Sequence, residues 1–442
     1  MIAAPFLVSA PGKTIIFGEH AAVYGKPAIA AAISLRTYML VSQHHSDLTD
    51  TVTLEFPDVN LQCSWKIASL PWDAVPEPAP DAPNPPSELH ESLVEAIQGP
   101  LTGITGFPQR SSALTFLYIY MSLLKGKELQ GMTFSVRSTL PIGAGLGSSA
   151  SVSVCIATAI CLLSGTVTVP SSILTEHSNG NGASADLQAI ERIDAWAFLG
   201  ERCIHGNPSG IDNACSTRGG AVMFQRMSKG NPNVLKSMRD FPSLRLLLID
   251  SKQPRRTAVQ VANVATLVQS YPQITGPIMD GIHSLTDEAY RLLCLPTDQC
   301  DVSWAGKLRE LVRVNHGLLV ALGVSHPKLE IIRAAADELE IGETKLTGAG
   351  GGGCAITLVE DKVPESKISE LRAKLSVHGF EVYETRLGGN GAGCLLPTNT
   401  DKAEWEKWED KLFSLHHMLA LENREHVEET VGVETVDGWA FW

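Results

Sequence analysis

No apolar run in the 442-residue chain approaches the roughly 20 residues of a membrane-spanning helix. Positive charge is scarce as well: 35 Lys and Arg stand against 48 Asp and Glu, a formal net charge of −13. Nucleic acid and anionic membranes ask for a basic face, so neither is expected as a partner. Nine cysteines occur without one CxxC spacing, which argues against a structural zinc. Their odd number, and the apolar or glycine-rich surroundings of Cys155, Cys161, Cys215 and Cys354, read as free buried thiols in a reducing compartment. The opening residues carry no basic leader, and a cytoplasmic location is the expectation.

What the chain does hold is enough apolar residue, 44% against 19% charged, for two or three globular domains. It also holds a concentrated glycine signal. Pro141-Ile142-Gly143-Ala144-Gly145-Leu146-Gly147-Ser148-Ser149-Ala150 follows an alternating, strand-like run, Met132 to Leu140. It opens an apolar, helix-like one, Ser151 to Ser164. Glycine at every second position lets several backbone N–H groups converge on one anion at a helix start, where the dipole adds about half a positive charge. No acid in the first turn consumes that charge, and Ser148 and Ser149 offer hydroxyls for a cap, a phosphate or Mg²⁺. A tight connection remains the plainer reading of glycine spacing alone. The G-x-G-x-x-A pattern fits formally, but the preceding strand alternates where a dinucleotide fold has a wholly apolar one. The P-loop pattern fails because Leu7 stands where its first glycine belongs ahead of Gly12-Lys13-Thr14.

Along the chain, Phe6 to Ala10 reads as a strand ending at a Pro11-Gly12 turn, from which Lys13 can project into a cleft or simply into solvent. Strands are expected over 28–43 and 51–67. An exposed proline-rich insertion follows over 71–86, then helices over 87–97, 112–124 and 184–203. Asp212 falls in the first turn of a short helix for which Ser209 is the expected N-cap; complementing the helix dipole would account for it. The polar stretch 229–240 reads as a domain boundary. Beyond it come a strand at 244–250, a basic turn at 251–257, helices to Leu339, and strands flanking Lys345 to Cys354. That glycine-dense segment is either a tight hairpin or backbone pressed against a ligand site. A helix at 365–375 and strands at 381–387 and 392–396 complete an α+β second lobe. The acidic tail carries Trp405, Trp408, Trp439 and Trp442, which suggest packing on the body or a partner.

Taken together, Pro11-Gly12-Lys13, Gly18-Glu19-His20 with Val23-Tyr24-Gly25, the 141–150 loop, Gly200-Glu201-Arg202, His205 to Asn213 and Lys345 to Cys354 resemble the GHMP kinase superfamily. They are closer to its mevalonate subgroup than to its galactose or homoserine subgroups, over residues 5–396. The resemblance implies an α+β, two-lobed fold with the active site in the cleft between lobes. An N-terminal, ATP-binding lobe like domain 2 of ribosomal protein S5 would span 1–228 and a ferredoxin-like C-terminal lobe 241–398, with a tail over 399–442. It implies phosphorylation of the primary hydroxyl of (R)-mevalonate by ATP with Mg²⁺, in isoprenoid and sterol synthesis. By motif position Asp212 would take the hydroxyl proton with Lys13 beside it. Lys13, Ser138, Gly143, Ala144, Gly145, Leu146, Gly147, Ser148 and Ser149 would bind ATP, and Ser149 and Glu201 would hold Mg²⁺. Lys13, Glu19, His20, Asp212 and Thr257 would hold mevalonate, with Gly348, Ala349 and Gly350 as cleft backbone. A homodimer and feedback inhibition by prenyl diphosphates are further implications. The family often has Asn at the Asp58 position, so no adenine contact is carried over to it. The alternatives are a sister kinase for phosphomevalonate, a sugar or homoserine, a catalytically silent sensor, and a dinucleotide oxidoreductase. A sensor would be expected to have lost Lys13, Asp212 or Glu201, and all are present.

Overall fold

A computed structural model describes residues 4–43, 49–77, 85–141, 143–172, 182–227, 231, 233–238, 241–296, 299–300, 303–360, 362–397 and 415–442. Two long strands, β1 (Phe6–Phe17) and β2 (Pro27–Gln43), pair antiparallel from Phe6 opposite Val41 to Phe17 opposite Ile29. Nearly every residue in both is buried, which requires cover on both faces. Phe6, Val8, Ala10, Met39 and Val41 point into a helical core, whereas Leu7, Tyr38 and Leu40 point to the opposite side. Pro11-Gly12, expected as a turn, lies inside β1, where the register shifts between Pro11 and Lys13. A bulge tolerates a residue without an N–H and re-aims the next side chain.

β3 (Thr51–Phe56) and β4 (Leu61–Lys66) form a hairpin. After α1 (Glu91–Ile97) and α2 (Phe107–Leu124), β5 (Met132–Ser138) pairs with the second half of β2 and with β3. α2 begins ahead of the expected Ser112 because Pro108 suits a first helical position. α3 (Ser148–Ser164) and α4 (Gly182–His205) pack with α2 over the sheet. α5 (Ile211–Arg218) precedes β6 (Ala221–Gln225), which pairs with the first half of β2, and β7 (Val234–Met238) pairs with β6. Part of the stretch expected as a polar boundary is therefore a strand of this lobe. The proline-rich stretch also departs from expectation. Val75 is buried, and Trp72 donates to the Ile67 carbonyl at 2.7 Å. Residues 78–84 lie outside those described.

The second lobe runs through β8 (Leu244–Asp250), α6 (Thr257–Ser270), α7 (Pro272–Leu293), α8 (Trp304–Ala321) and α9 (Pro327–Glu338). It continues with β9 (Gly342–Leu346), β10 (Cys354–Val359), α10 (Glu365–Ser376) and β11 (Glu381–Leu387). Its antiparallel order β11-β8-β10-β9 is that of a ferredoxin-like unit with four helices in the first connection. The lobes share a core: Phe17, Ile29 and Ile33 pack with Leu246, Leu248 and Ile356.

β12 (Gly393–Leu395) pairs with β1, so the strand expected to complete the second lobe instead covers an edge of the first. α11 (Leu415–Ala420), α12 (Arg424–Val431) and β13 (Ala440–Phe441) then close the second face of β1 and β2. Met418, Leu421, Val427, Val431 and Val436 cluster with Leu7, Tyr38 and Leu40, and the Tyr38 hydroxyl donates to Glu428 Oε2 at 2.9 Å. Trp439 and Trp442 pack on the body, the latter donating to the Thr168 carbonyl, while Trp405 and Trp408 lie outside the described residues. Among the described residues no helix is long and apolar enough to cross a membrane. All nine cysteines are free; Cys294, contrary to a uniformly buried set, is exposed. Because the tail covers a sheet face, Met418→Ala should lower the free energy of urea unfolding by about 2–5 kcal/mol. A value near zero would mean that the segment is detachable.

Candidate active site

The cleft between the lobes encloses about 700 Å³, walled by β1, the glycine loop, the starts of α3, α5 and α6, and the β9–β10 loop. α3 has no side-chain cap. Its N-cap is Gly147 in the left-handed region (φ 69), and no acid sits in its first turn. Its first N–H groups are therefore available to an anion. Of the two serines expected as possible caps, Ser149 turns elsewhere: its Oγ lies 3.4 Å from Glu201 Oε2 and 3.2 Å from His205 Nε2. The Lys13 N–H donates to the Leu146 carbonyl at 2.8 Å, tying the loop to the β1 bulge. Ser138, Gly143, Gly145, Gly147 and Ser148 line the cavity. The Ala144 and Leu146 side chains belong to the core between the lobes, leaving only backbone for a ligand.

Lys13 Nζ stands 3.0 Å from Asp212 Oδ1, with the lysine side chain 7% and the aspartate 34% exposed. The lysine stem runs against the loop, since a Cβ on Gly147 would fall 2.8 Å from Lys13 Cγ. Asp212 sits in the first turn of α5, whose N-cap is Gly210 (φ 85) instead of the expected Ser209. Deeper in, Glu201 on α4 is 2% exposed, with the Ser149 hydroxyl 3.4 Å from one oxygen, the Ser153 hydroxyl 3.4 Å from the other and His205 Nε2 at 4.0 Å. Burial first, and the Asp212 charge second, push its carboxyl up to about 7. Among the described residues no three His, Cys, Asp or Glu side chains gather as a metal cage. A buried carboxylate with a hydroxyl beside it suits Mg²⁺, which keeps waters and takes phosphate oxygens for the remaining positions.

At the other end, His20 and Thr257 line the cavity, and His20 Nε2 lies 3.0 Å from the Ala349 carbonyl. Burial lowers the His20 pKa and favours the neutral ring. Glu19, expected to touch substrate, lines the cavity, and both its carboxylate oxygens are held by protein partners. Its side chain is 1% exposed, with Lys345 Nζ on Oε1 and Asn315 Nδ2 on Oε2. Gly348 and Ala349 line the cavity, while Gly350 presses on the Val324 carbonyl. The β9–β10 segment is thus both a hairpin and a cleft wall.

Arg255 was not singled out in the sequence. Its guanidinium packs against Gly145 so closely that a Cβ there would meet Nη2 at 1.4 Å, and its buried Nη1 has no partner among the described residues. The basic turn at 251–257 was its only sequence signal. An apolar branch formed by Phe56, Val59, Phe107, Pro108 and Ile204 was likewise invisible, because its residues come from three separate segments.

The raised Glu201 carboxyl has a thermodynamic consequence. At this one group the folded apoprotein holds a proton that the unfolded chain has released between about pH 4.5 and 7, so the contribution of Glu201 to stability falls as pH rises through that window. The expected loss above pH 7 is roughly 3 kcal/mol. Glu201→Gln should be free of it, and urea unfolding of both proteins from about pH 5 to 8 should show their difference growing with pH.

Residues 114–220 match the GHMP kinases N terminal domain and residues 305–377 the GHMP kinases C terminal. The mevalonate kinase of Candida albicans is 46% identical over 446 aligned residues, covering 99% of each chain. That of Gibberella zeae is 44% identical, covering 100% of this chain and 88% of its own. The solved Methanococcus jannaschii mevalonate kinase superposes with a TM-score of 0.60 at 23% identity, over 88% of this chain and 99% of its own. The L. major mevalonate kinase in complex with R-mevalonate gives 0.59 at 20% identity, over 88% and 97%. These two structural likenesses bear on the fold, and the full-length sequence identities carry the conclusion: the chain belongs to the mevalonate kinase family of GHMP kinases.

Proposed function

We propose that the protein transfers the γ-phosphoryl group of ATP to the primary hydroxyl of (R)-mevalonate, giving 5-phosphomevalonate and ADP for isoprenoid and sterol synthesis. The observation that carries this reading is the Lys13–Asp212 pair, 3.0 Å apart at the mouth of an anion cradle in a chain of this family. The phosphates lie along the 143–149 backbone and the α3 N-terminus, with Ser138 on the nucleotide side. Arg255 adds the cation that an acidic protein must supply locally. His20 and Thr257 face the alcohol. Mg²⁺, held through Ser149 and Glu201, would neutralise charge on the phosphates.

The reaction asks more for placement than for covalent chemistry. Aligning the hydroxyl oxygen with the γ-phosphorus is worth roughly 7–11 kcal/mol of barrier. As the new O–P bond forms and the bond to ADP breaks, the hydroxyl proton passes to Asp212, with the Lys13 ammonium beside it. The apolar branch of the cleft is the seat for the chain of an inhibitory prenyl diphosphate, whose diphosphate would take the cradle. The first lobe serves ATP and the second, from β8 to β11, supplies the remaining wall, in a cytoplasmic homodimer.

ADP release measured over a panel of alcohols should single out mevalonate; a preference for phosphomevalonate, a sugar or homoserine would sink the substrate assignment. With mevalonate, Asp212→Asn and Lys13→Met should each lower kcat by about 10²–10⁴-fold while ATP still binds. Geranyl and farnesyl diphosphate should raise KM for ATP without changing kcat. Inhibition indifferent to ATP concentration would reject a shared cradle.

A further inference from the structure

The motifs at the alcohol end are fastened across the lobes by a row of contacts in and behind the cleft wall. Thr14 Oγ1 meets Thr347 Oγ1 at 3.0 Å, and His20 Nε2 meets the Ala349 carbonyl at 3.0 Å. Between them Lys345 Nζ donates to Glu19 Oε1, and Asn315 Nδ2 donates to Glu19 Oε2 at 3.0 Å. Lys345 and Asn315 have no solvent exposure and do not line the cavity. The adjoining His20 holds φ at 61°, a left-handed conformation that a non-glycine residue keeps only where its surroundings dictate it. A charge pair buried to this degree is weak evidence of stabilisation, because desolvation offsets most of the attraction. Its geometry says more: it fixes a carboxylate one residue away from a strained backbone at the cleft wall.

We infer that Lys345 and Asn315 are positioning residues for alcohol binding. They lock the Glu19 carboxylate, and through it hold the Glu19–His20 backbone in the conformation that sets the His20 ring at the substrate end. The inference rests on the proposed reaction, and it makes Glu19 the anchor of a substrate-contacting residue.

The test uses the full-length enzyme with ATP and mevalonate. Asn315→Ala removes one hydrogen bond to the anchor and should raise KM for mevalonate about 10-fold, with KM for ATP and kcat within about 2-fold. A residue that only stabilised the fold would not move one substrate's KM alone. Glu19→Gln leaves Lys345 buried without a countercharge and should be impaired. Glu19→Gln/Lys345→Met restores a neutral, Asn315-bonded anchor and should return KM for mevalonate to within about 3-fold of wild type. An unchanged KM in Asn315→Ala overturns the inference. So does a double variant no better than Glu19→Gln, because the carboxylate itself would then be touching substrate. Wild-type turnover of mevalonate is the control: its absence would sink the reaction, whereas an active wild type with indifferent variants would sink the anchor.

Discussion

The site depends on where Lys13 is held. Its N–H is bonded to Leu146 of the glycine loop, its stem lies against Gly147, and its ammonium meets Asp212. A single residue thereby joins the anion cradle to the acid on α5, and none of the three can shift without the others. The economy matters in a chain with a net charge of −13, where no general field draws in a polyanion. In the proposed reaction the attraction comes from backbone N–H groups, one helix terminus and two sequestered cations, Lys13 and Arg255. Burial strengthens each of these, and it also raises the Glu201 carboxyl, leaving a group whose charge becomes favourable when a cation sits beside it.

That arrangement is possible because β2 serves both lobes. Its first half pairs with β6 and its second with β5, and Ile33 reaches β11 of the second lobe. The glycine loop, the β1 bulge and the β9–β10 loop therefore meet where the shared core ends. The far side of β1 and β2 would be an exposed apolar face without the C-terminal helices, which is why the run looks buried on both sides.

Much of this was legible beforehand, and the failures follow a pattern. The glycine loop before α3 and Asp212 in a first turn are local signals, and both agree with the fold. Lys13 could not be assigned to cleft or solvent from its neighbours, and the turn expected at Pro11-Gly12 is a bulge within β1. β12 was given to the wrong lobe because three residues of strand carry no information about their partner. Arg255 was overlooked because only packing against Gly145 distinguishes it from any other basic residue in a turn.

Glycine spacing and apolar periodicity act over a few residues, and from them alone followed a glycine loop opening a helix and the α+β class. Which acid meets which base was settled elsewhere. Glu19 and Lys345 stand 326 positions apart, and whether the carboxylate of Glu19 faces a substrate or a lysine depends on how β1 packs against β9. No local propensity encodes that choice; burial of both charges across the lobe junction makes it.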